Sequence, residues 1–386
     1  MPKSKIYIDT QPIFKKRTGI VCYTYNNILE TLKAAPEDID IYGVVYDFLG
    51  RLNAESELRK IGFKSSISKK NIPPRLYKLI WEYIKIRFDN HFKDGDIYHF
   101  YNYVIPPIGK DKKVIINVYD MVYKKFPETM KNSNLYLLER DLGRSINRAD
   151  HIITISESSK KDIQQYFDVD DEKISVILPG IDLEFFSQGK NIDSKTENAI
   201  KGKYNLPEKY LLYLGTIEPR KNIKTIFDAY AALPKKIKEE YMLVIAGDRG
   251  WKSAKAVEYP KKLGIEKHIK YIGYVSEEDK PLIYGMAEVF LFPSLYEGFG
   301  MPVSEALACG TPVITSDNSA LPEAGGEGAS YIQCMDYGAM AAEIERYIED
   351  ADYKEKKLSL GMQHLQRLSW RDNGIKSIEI YKGMGE

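Results

Sequence analysis

Short apolar runs alternate along the chain with longer stretches in which apolar residues recur every three or four positions. In the first half, the short runs predict β-strands at residues 5–8, 39–46, 97–100, 114–118, 151–155 and 174–178, and the longer stretches predict helices at 23–33, 75–88 and 156–167. Ser156 suits the N-cap of the last of these helices. Strands that alternate with helices are typical of βαβ units and of a parallel sheet.

A polar stretch at residues 187–203 resembles a linker or an excursion at the edge of a domain, and the alternation begins again after it. We predict strands at 210–215, 242–246, 269–273, 289–292 and 312–315, and helices at 223–232, 281–287, 302–309 and 369–382. The pattern therefore predicts two α/β domains of similar size, residues 1–180 and residues 181–365.

The composition agrees with folded domains. The 386 residues suggest two or three domains at about 150 residues each, and the 44% of apolar residues excludes a largely disordered chain. The net charge of +1 argues against a nucleic-acid-binding protein that works through overall positive charge. The apolar runs are far shorter than the roughly 20 residues of a membrane-spanning helix. The 29 tyrosines have no evident function in the sequence.

The three cysteines, Cys22, Cys309 and Cys334, cannot all pair, and they lack the spacing of metal ligands. We therefore expect neither a disulfide framework nor a zinc site. Because the sequence also begins without an apolar signal stretch, we expect a cytoplasmic location.

Residues 287–316, AEVFLFPSLYEGFGMPVSEALACGTPVITS, carry the most informative chemistry. A predicted buried strand is followed by a loop with Gly298 and Gly300, where the backbone can approach a ligand closely. Pro302 suits the first turn of the helix that follows. The free N–H groups expected around residues 301–304 predict an anion site, suited to a phosphate, at the carboxyl end of a parallel strand.

Two glutamates, Glu297 and Glu305, flank this predicted anion site at a spacing of eight positions. Carboxylates are poor partners for phosphate but good acceptors for sugar hydroxyls. Alone, Glu305 would be explained by favourable charge at a helix start, and Glu297 by an ordinary solvated loop. Together with the glycine loop, they favour a ligand site.

This segment resembles the E-x7-E signature of the retaining family-4 (group 1) glycosyltransferases, and the resemblance extends over nearly the whole chain. It implies the α/β GT-B fold, with two facing Rossmann-like domains and a C-terminal helix, about residues 366–386, that crosses back to the first domain. It also implies that Glu297 contacts the donor sugar hydroxyls and Glu305 the nucleotide ribose. The loop and helix start between them would hold the pyrophosphate.

A second segment, LYLGTIEPRKN at residues 212–222, agrees with this resemblance because it places Arg220 and Lys221 at the entrance to a helix. Fixed cations suit a diphosphate leaving group, whereas a solvated basic pair is the alternative interpretation. The family often has an arginine directly after the strand glycine, where this chain has Thr216.

Weaker similarities add four positions. Tyr274 and Val275 match a place where relatives hold the nucleotide base through the backbone. Gly19 matches an N-terminal loop that closes over the donor phosphate and the acceptor. Asp120 matches the second residue of a segment that commonly reads His-Asp, with Tyr119 in place of the histidine. Asp120 is the candidate for orienting the acceptor hydroxyl.

The candidate site thus has four catalytic residues and eleven residues that bind the donor. The catalytic residues are Glu297, Lys221, Arg220 and Asp120; the donor-binding residues are Glu305, Gly298, Phe299, Gly300, Met301, Pro302, Val303, Gly19, Thr216, Tyr274 and Val275. His99 has two interpretations, a cleft residue or a hydrogen-bonded residue at a strand end. Asp168 and Asp170 form an Asp-x-Asp pair, the metal motif of a different glycosyltransferase fold, but they lie in a polar turn. We expect no metal and no cofactor besides the donor.

The resemblance implies a retaining hexosyltransferase that uses a nucleoside-diphosphate sugar and a saccharide acceptor, including a lipid-linked one, in cell-surface polysaccharide or lipopolysaccharide synthesis. The TIEPRKN form resembles O-antigen mannosyltransferases, which makes GDP-mannose the first donor to consider; UDP-linked sugars and dTDP-rhamnose are the other donors left open. A UDP-sugar epimerase of the same fold and a non-catalytic nucleotide-sugar-binding protein are the alternatives. A dinucleotide dehydrogenase is disfavoured because no G-x-G-x-x-G follows a first strand.

The near-neutral net charge of the whole chain conceals a basic region. Residues 51–131 contain 17 Lys and Arg against 9 Asp and Glu. The predicted helix at 75–88 within it is basic and aromatic, and two interpretations remain. We favour a helix packed on a sheet. The alternative is peripheral contact with anionic lipid at the inner face of a membrane.

Overall fold

The computed structural model describes residues 3–15, 18–69, 73 and 87–385. The chain divides into two compact units. The first comprises Met1–Tyr123, Asn132–Gly180 and Ser369–Glu386, and the second comprises Lys124–Lys131 and Ile181–Leu368. Each unit is built around one parallel sheet.

The sheet of the first unit has seven parallel strands in the order β3-β2-β1-β4-β5-β6-β7. These strands are β1 Ser4–Asp9, β2 Ile39–Tyr46, β3 Ser65–Lys69, β4 Ile97–Phe100, β5 Lys113–Asn117, β6 His151–Thr154 and β7 Ile174–Val176. Ile6 of β1 is paired with Ile41 of β2 and Ile97 of β4, and all three side chains are buried. The strand order reverses between β1 and β4, as in Rossmann-like folds.

Helices cover this sheet. In the first half of the chain they are Gly19–Ala34, Ala54–Ile61, Phe88–His91, Val122–Lys125, Asn132–Arg148 and Glu157–Tyr166. The predicted N-cap is confirmed, since the Ser156 hydroxyl accepts a hydrogen bond from the Ser159 N–H at 2.9 Å. The predicted helix at 75–88 lies outside the described residues except for its last two positions.

The C-terminal helix, Trp370–Gly385, packs against Gly19–Ala34 within the first unit. The Asn27 side-chain amide donates to the Ser377 hydroxyl at 3.3 Å. Gly374 allows the two backbones to approach, because a Cβ there would lie 2.3 Å from the Glu30 carbonyl oxygen. The last helix of the chain is therefore an integral part of the unit formed by the first residues.

The sheet of the second unit has six parallel strands in the order β10-β9-β8-β11-β12-β13. They are β8 Tyr210–Leu214, β9 Met242–Ala246, β10 Ile269–Gly273, β11 Val289–Phe292, β12 Val313–Ser316 and β13 Ser330–Ile332. Its helices are Leu183–Ser187, Ser194–Tyr204, Ile223–Ala232, Lys235–Glu240, Ala254–Leu263, Lys280–Gly285, Met301–Ala308, Leu321–Gly325, Tyr337–Glu349 and Ala351–Leu365. The order reverses between β8 and β11, so the predicted pair of Rossmann-like α/β units is confirmed.

Residues 124–131 belong to the second unit although the chain on both sides of them belongs to the first unit. The Trp251 indole N–H donates to the Thr129 carbonyl at 2.6 Å. The Phe126 ring lies 6.0 Å from that of Tyr296, measured between centroids. These contacts pack this segment against the second unit.

The prediction of a polar linker is wrong in part, because the helix Ser194–Tyr204 occupies most of residues 187–203. The Asp193 carboxylate starts this helix by accepting hydrogen bonds from the Lys195 and Thr196 N–H groups, both at 3.0 Å. A good N-cap thus begins a helix that has little apolar pattern.

Tyrosine is a core residue in this protein. Ten of the twelve largest fully buried side chains in the described part of the chain are tyrosines. Some of their hydroxyls donate to backbone carbonyls: Tyr210 donates to Ile283 at 2.7 Å, and Tyr98 donates to Phe92 at 2.6 Å. Many of the 29 tyrosines therefore fill the cores.

Within the ranges that the structure describes, no helix is both long enough and apolar enough to cross a membrane.

His99 is a core residue of the first unit, and the cleft interpretation is wrong. Its side chain is fully buried, with Nδ1 2.7 Å from the Tyr381 hydroxyl and Nε2 2.7 Å from Asn117 Oδ1. Burial outweighs the hydrogen bond to Asn117 and lowers the pKa of the imidazole to about 3.

This lowered pKa predicts an acid-sensitive first unit. Above about pH 6.5, the ordinary pKa of histidine, His99 is neutral in both the folded and unfolded chain. As the pH falls from there toward 3, only the unfolded chain binds the proton, so stability is lost. Urea unfolding followed by circular dichroism at pH 7 and pH 5 tests this. The stability advantage of the wild type over His99→Gln should shrink at pH 5; an unchanged advantage would contradict it.

Candidate active site

The candidate site lies at the carboxyl edge of the second sheet, where the strand order reverses. Arg220 and Lys221 follow β8, and Glu297 follows the neighbouring strand β11. The two loops are joined by a hydrogen bond of 2.9 Å from the Leu295 N–H to the Arg220 carbonyl. In doubly wound sheets, this reversal point opens the crevice in which ligands bind.

The Glu297 carboxylate is held between two cations. Lys221 Nζ lies 2.7 Å from Glu297 Oε1, and Arg220 Nη1 lies 2.8 Å from Glu297 Oε2. Burial alone raises the pKa of this carboxyl, but the charges of Arg220 and Lys221 and the hydrogen bond from Lys221 outweigh it and hold the pKa at about 2. Glu297 is therefore ionised throughout the physiological range.

Lys221 is less exposed than Arg220, with 13% of its side chain exposed against 20%. Burial and the neighbouring charge of Arg220 lower the pKa of its ammonium group, while Glu297 and Glu218 oppose that shift. The Lys221 Nζ also lies 4.8 Å from the centre of the Phe292 ring. These contacts fix the position of the Lys221 ammonium group. Little free energy is therefore needed to reorient it when negative charge develops on a bound ligand.

Arg220 is shared between two carboxylates. Its Nη2 lies 2.9 Å from Glu218 Oε1, and its Nη1 also donates to the Tyr296 carbonyl at 2.7 Å. Glu218 is 5% exposed, and burial raises the pKa of its carboxyl against the opposing charges of Arg220 and Lys221. Glu218, Arg220, Lys221 and Glu297 form what we call the charged cluster.

Sequence reasoning missed Glu218 and the support of the Glu297 loop. The Ser319 hydroxyl accepts the Glu297 N–H at 3.0 Å, and the Asn318 amide donates to the Leu295 carbonyl at 3.0 Å. Ser319 has a φ of +50°, which non-glycine residues rarely adopt. The polar run SDNSA after β12 was the only signal for these contacts.

The helix Met301–Ala308 begins at Gly300, whose φ of +106° suits glycine. A Cβ on Gly300 would lie 2.8 Å from Leu321 Cδ2. Pro302 has no N–H, and the Val303 N–H donates to the Gly300 carbonyl at 2.9 Å. Residues 302 and 303 therefore do not supply the free N–H groups that the sequence predicts there. Gly298 and Phe299 lie in the loop before this helix, as expected.

Glu305 lies in the same helix and is 7% exposed. The Tyr284 hydroxyl donates to its Oε2 at 3.0 Å, and the Thr311 hydroxyl fixes Tyr284 by donating to its carbonyl at 2.6 Å. Burial, followed by the charge of Glu305, raises the pKa of the Tyr284 hydroxyl, which stays protonated as a donor. One carboxylate oxygen of Glu305 is thereby oriented.

Three further predicted residues lie at the same edge of the second sheet. Thr216 follows β8 and is exposed, with its carbonyl accepting a hydrogen bond of 2.9 Å from the Tyr213 hydroxyl. Tyr274 and Val275 follow β10; Tyr274 is 53% exposed and Val275 is buried. The exposed Tyr274 ring and the Thr216 side chain can meet a ligand at this edge.

Gly19 and Asp120 belong to the first unit. Gly19 is not in a loop but is the first residue of its helix, which Thr18 caps by accepting the Val21 N–H at 3.4 Å. Asp120 is half-buried, and its Oδ1 accepts the Val122 N–H at 3.2 Å.

Tyr119, at the position where the family commonly has a histidine, is buried in the first unit. Its hydroxyl lies 3.2 Å from the Thr24 hydroxyl and donates to the Tyr101 carbonyl at 3.2 Å. Burial raises the pKa of this hydroxyl.

No group of three or more His, Cys, Asp or Glu side chains among the described residues is arranged to hold a metal ion. Asp168 and Asp170 are exposed in a turn.

Solved structures with the same architecture identify the fold. The chain superposes on a glycosyltransferase from Rickettsia africae ESF-5 with a TM-score of 0.71 at 18% identity, covering all of both chains. It also superposes on Anabaena Alr3699/HepE in complex with UDP and glucose, with a TM-score of 0.70 at 16% identity over 98% of this chain and 99% of the other. The fold is that of GT-B glycosyltransferases.

Sequence comparison gives the family. Residues 194–361 match the family described as glycosyl transferases group 1, and residues 30–185 match glycosyltransferase family 4. The chain is 31% identical to the O-antigen chain mannosyltransferase B of Escherichia coli over 98% of this chain and 99% of that protein. It is 28% identical to the serotype-specific mannosyltransferase WbdA of Escherichia coli over 60% of this chain and 28% of WbdA. The chain belongs to the group 1 glycosyltransferases, which confirms the family predicted from Glu297, Glu305 and their surroundings.

Proposed function

We propose that this glycosyltransferase moves a hexose from a nucleoside-diphosphate sugar to a saccharide acceptor and retains the anomeric configuration. The observation that carries the proposal is the charged cluster at the reversal point of the second sheet. It combines two fixed cations, suited to a leaving diphosphate, with an ionised Glu297, suited to sugar hydroxyls.

In this proposal, Arg220 and Lys221 stabilise the charge that develops on the diphosphate as the bond to the sugar breaks. Glu297 accepts hydrogen bonds from the donor sugar hydroxyls, which compete with its contacts to the two cations. Glu305, oriented by Tyr284, binds the ribose.

The remaining donor contacts come from backbone and edge positions. The loop and helix start hold the pyrophosphate, the region after β10 holds the base, and Thr216 lies beside the donor. The residues proposed for these contacts are Gly298, Phe299, Gly300, Met301, Pro302, Val303, Gly19, Thr216, Tyr274 and Val275. For Pro302 and Val303 the contact would be made by groups other than a free N–H.

The chemistry proposed needs no strong protein base. The acceptor oxygen forms its bond to the anomeric carbon on the face from which the phosphate leaves, and the acceptor proton passes to the departing phosphate oxygen. Asp120 orients the acceptor hydroxyl. We propose that no metal ion takes part.

GDP-mannose is the proposed donor, and cell-surface polysaccharide synthesis on a saccharide or lipid-linked acceptor in the cytoplasm is the proposed setting. Support comes from near-complete alignment with the O-antigen chain mannosyltransferase B of Escherichia coli. Further support comes from the segment TIEPRKN, which contains Arg220 and Lys221 and resembles the corresponding segment of O-antigen mannosyltransferases.

Thermal-shift measurements with GDP, UDP and their sugars, followed by transfer assays with mannoside acceptors and EDTA, test the proposal. We expect GDP and GDP-mannose to stabilise the wild type, Glu305→Ala to lose most of that shift, and transfer to survive EDTA. Conversion of a UDP-sugar without acceptor would favour the epimerase, and binding without turnover would favour a non-catalytic protein. If no nucleotide stabilised the wild type, the donor site would be refuted.

A further inference from the structure

Glu218 is a buried carboxylate to which neither the sequence motif nor the proposed mechanism gives a task. It is 5% exposed, directly before Pro219 and the two cations. Burying an ionised carboxylate is costly unless a charged partner compensates it. Its partner here is Arg220, with 2.9 Å between Glu218 Oε1 and Arg220 Nη2.

This contact fixes the direction in which the Arg220 guanidinium points. Glu218 takes Nη2, and Nη1 is left to contact Glu297 Oε2 at 2.8 Å and the Tyr296 carbonyl at 2.7 Å. Because a guanidinium is planar and its donors are fixed relative to each other, engaging one nitrogen sets the position of the other. Glu218 thus acts on Glu297 through Arg220.

Glu218 also sets the charge of the charged cluster. Two carboxylates and two cations give a formal charge of zero, whereas Arg220 and Lys221 with Glu297 alone would carry +1. Burial raises the pKa of the Glu218 carboxyl, and the charges of Arg220 and Lys221 oppose this shift. A neutral cluster attracts a nucleoside diphosphate less strongly than a positive one.

We propose that Glu218 is a positioning residue that fixes Arg220 against Glu297 and offsets its charge, so that the departing nucleoside diphosphate is held less tightly and is released faster. This inference rests on the proposed function. It assigns to Glu218 a control of product affinity that is separate from sugar recognition by Glu297.

Two variants separate charge from positioning. Glu218→Gln removes the charge but keeps an oxygen that can accept the Arg220 hydrogen bond, and Glu218→Ala removes both. Glu208→Gln is the matched control, because Glu208 pairs with Lys201 at 2.6 Å on the surface with its side chain 88% exposed. Calorimetric titration with GDP and with UDP gives product affinity, and steady-state kinetics gives kcat and KM.

We expect Glu218→Gln and Glu218→Ala to bind the nucleoside diphosphate about tenfold more tightly than the wild type, the effect of one unit of charge at short range. Glu218→Ala should also lose about a further tenfold in kcat relative to Glu218→Gln, because Arg220 is no longer held. Glu208→Gln should match the wild type in both quantities.

Unchanged or weaker diphosphate binding by the folded variants would overturn the inference, as would equal kcat values for Glu218→Gln and Glu218→Ala. A purely structural role would lower the melting temperature and leave the dissociation constant of the folded protein unchanged, which also overturns it. If the wild type bound neither GDP nor UDP, the proposed function itself would fail, and this outcome is visible without any variant.

Discussion

Glu297→Gln is expected to lower the rate of sugar transfer at least about a hundredfold, the effect of losing a charged group that acts on the reacting sugar. Glutamine keeps the shape of the side chain but leaves Arg220 and Lys221 without their shared counter-charge. Removing one partner of a buried ion pair typically costs about 3–5 kcal/mol, so the variant should also unfold more easily. Initial rates and urea unfolding measure the two effects.

A matched control for this substitution is Glu239→Gln, since Glu239 pairs with Lys235 at 3.5 Å with its side chain 60% exposed. An exposed pair contributes little, and the control should keep wild-type rate and stability. If Glu297→Gln kept more than about a tenth of the wild-type rate, the role assigned to Glu297 as a group that stabilises the transition state by about 2.7 kcal/mol would be wrong.

Lys221→Met is the substitution with the second largest expected effect. Methionine preserves the unbranched side chain and its contact with Phe292 but removes the charge. Loss of one preorganised group that stabilises developing negative charge typically lowers kcat by about 10²–10³-fold. We expect that loss in kcat together with weaker GDP binding.

Lys224→Met provides the comparison for Lys221→Met. Lys224 lies three positions further along, pairs with Asp228 at 3.0 Å and is 57% exposed. Its replacement should leave the rate and GDP affinity unchanged. Equal behaviour of the two methionine variants would refute the placement of Lys221 at the diphosphate.

The two sheets were predictable because most of their strands are buried runs of apolar residues between helices. The strands that the sequence failed to predict, Ser65–Lys69 and Ser330–Ile332, are the outermost strands of their sheets. Edge strands are paired on one side only and tolerate polar residues such as the SSISK of the first sheet. Their existence depends on the neighbouring strand, which a local pattern does not reveal.

The sequence predicted most residues of the candidate site, but it did not predict which of them contact one another. Glu297 and Lys221 follow from motifs 76 positions apart, but their contact at 2.7 Å depends on the adjacency of β8 and β11. The contact between Glu218 and Arg220 is evident only in the structure, because in the sequence Glu218 is simply a carboxylate near a basic pair.

His99 shows the opposite limit. In the sequence it could be a residue that faces a ligand, yet it lies in the core of the first unit with hydrogen-bonded partners. The hydrogen-bond partners of His99 are Asn117 and Tyr381. Tyr381 lies in the C-terminal helix, 282 positions away in the sequence. Local sequence cannot distinguish such a residue from one that faces a ligand.

The anomeric configuration of the product tests the central claim most directly. GDP-mannose and a mannoside acceptor would be incubated with the wild-type protein, and the new linkage examined by the one-bond carbon–proton coupling of its anomeric centre in NMR spectra. The account predicts an α-linked product, with one GDP released for each bond formed. A β-linked product, or GDP-mannose left intact with no new linkage, would contradict it.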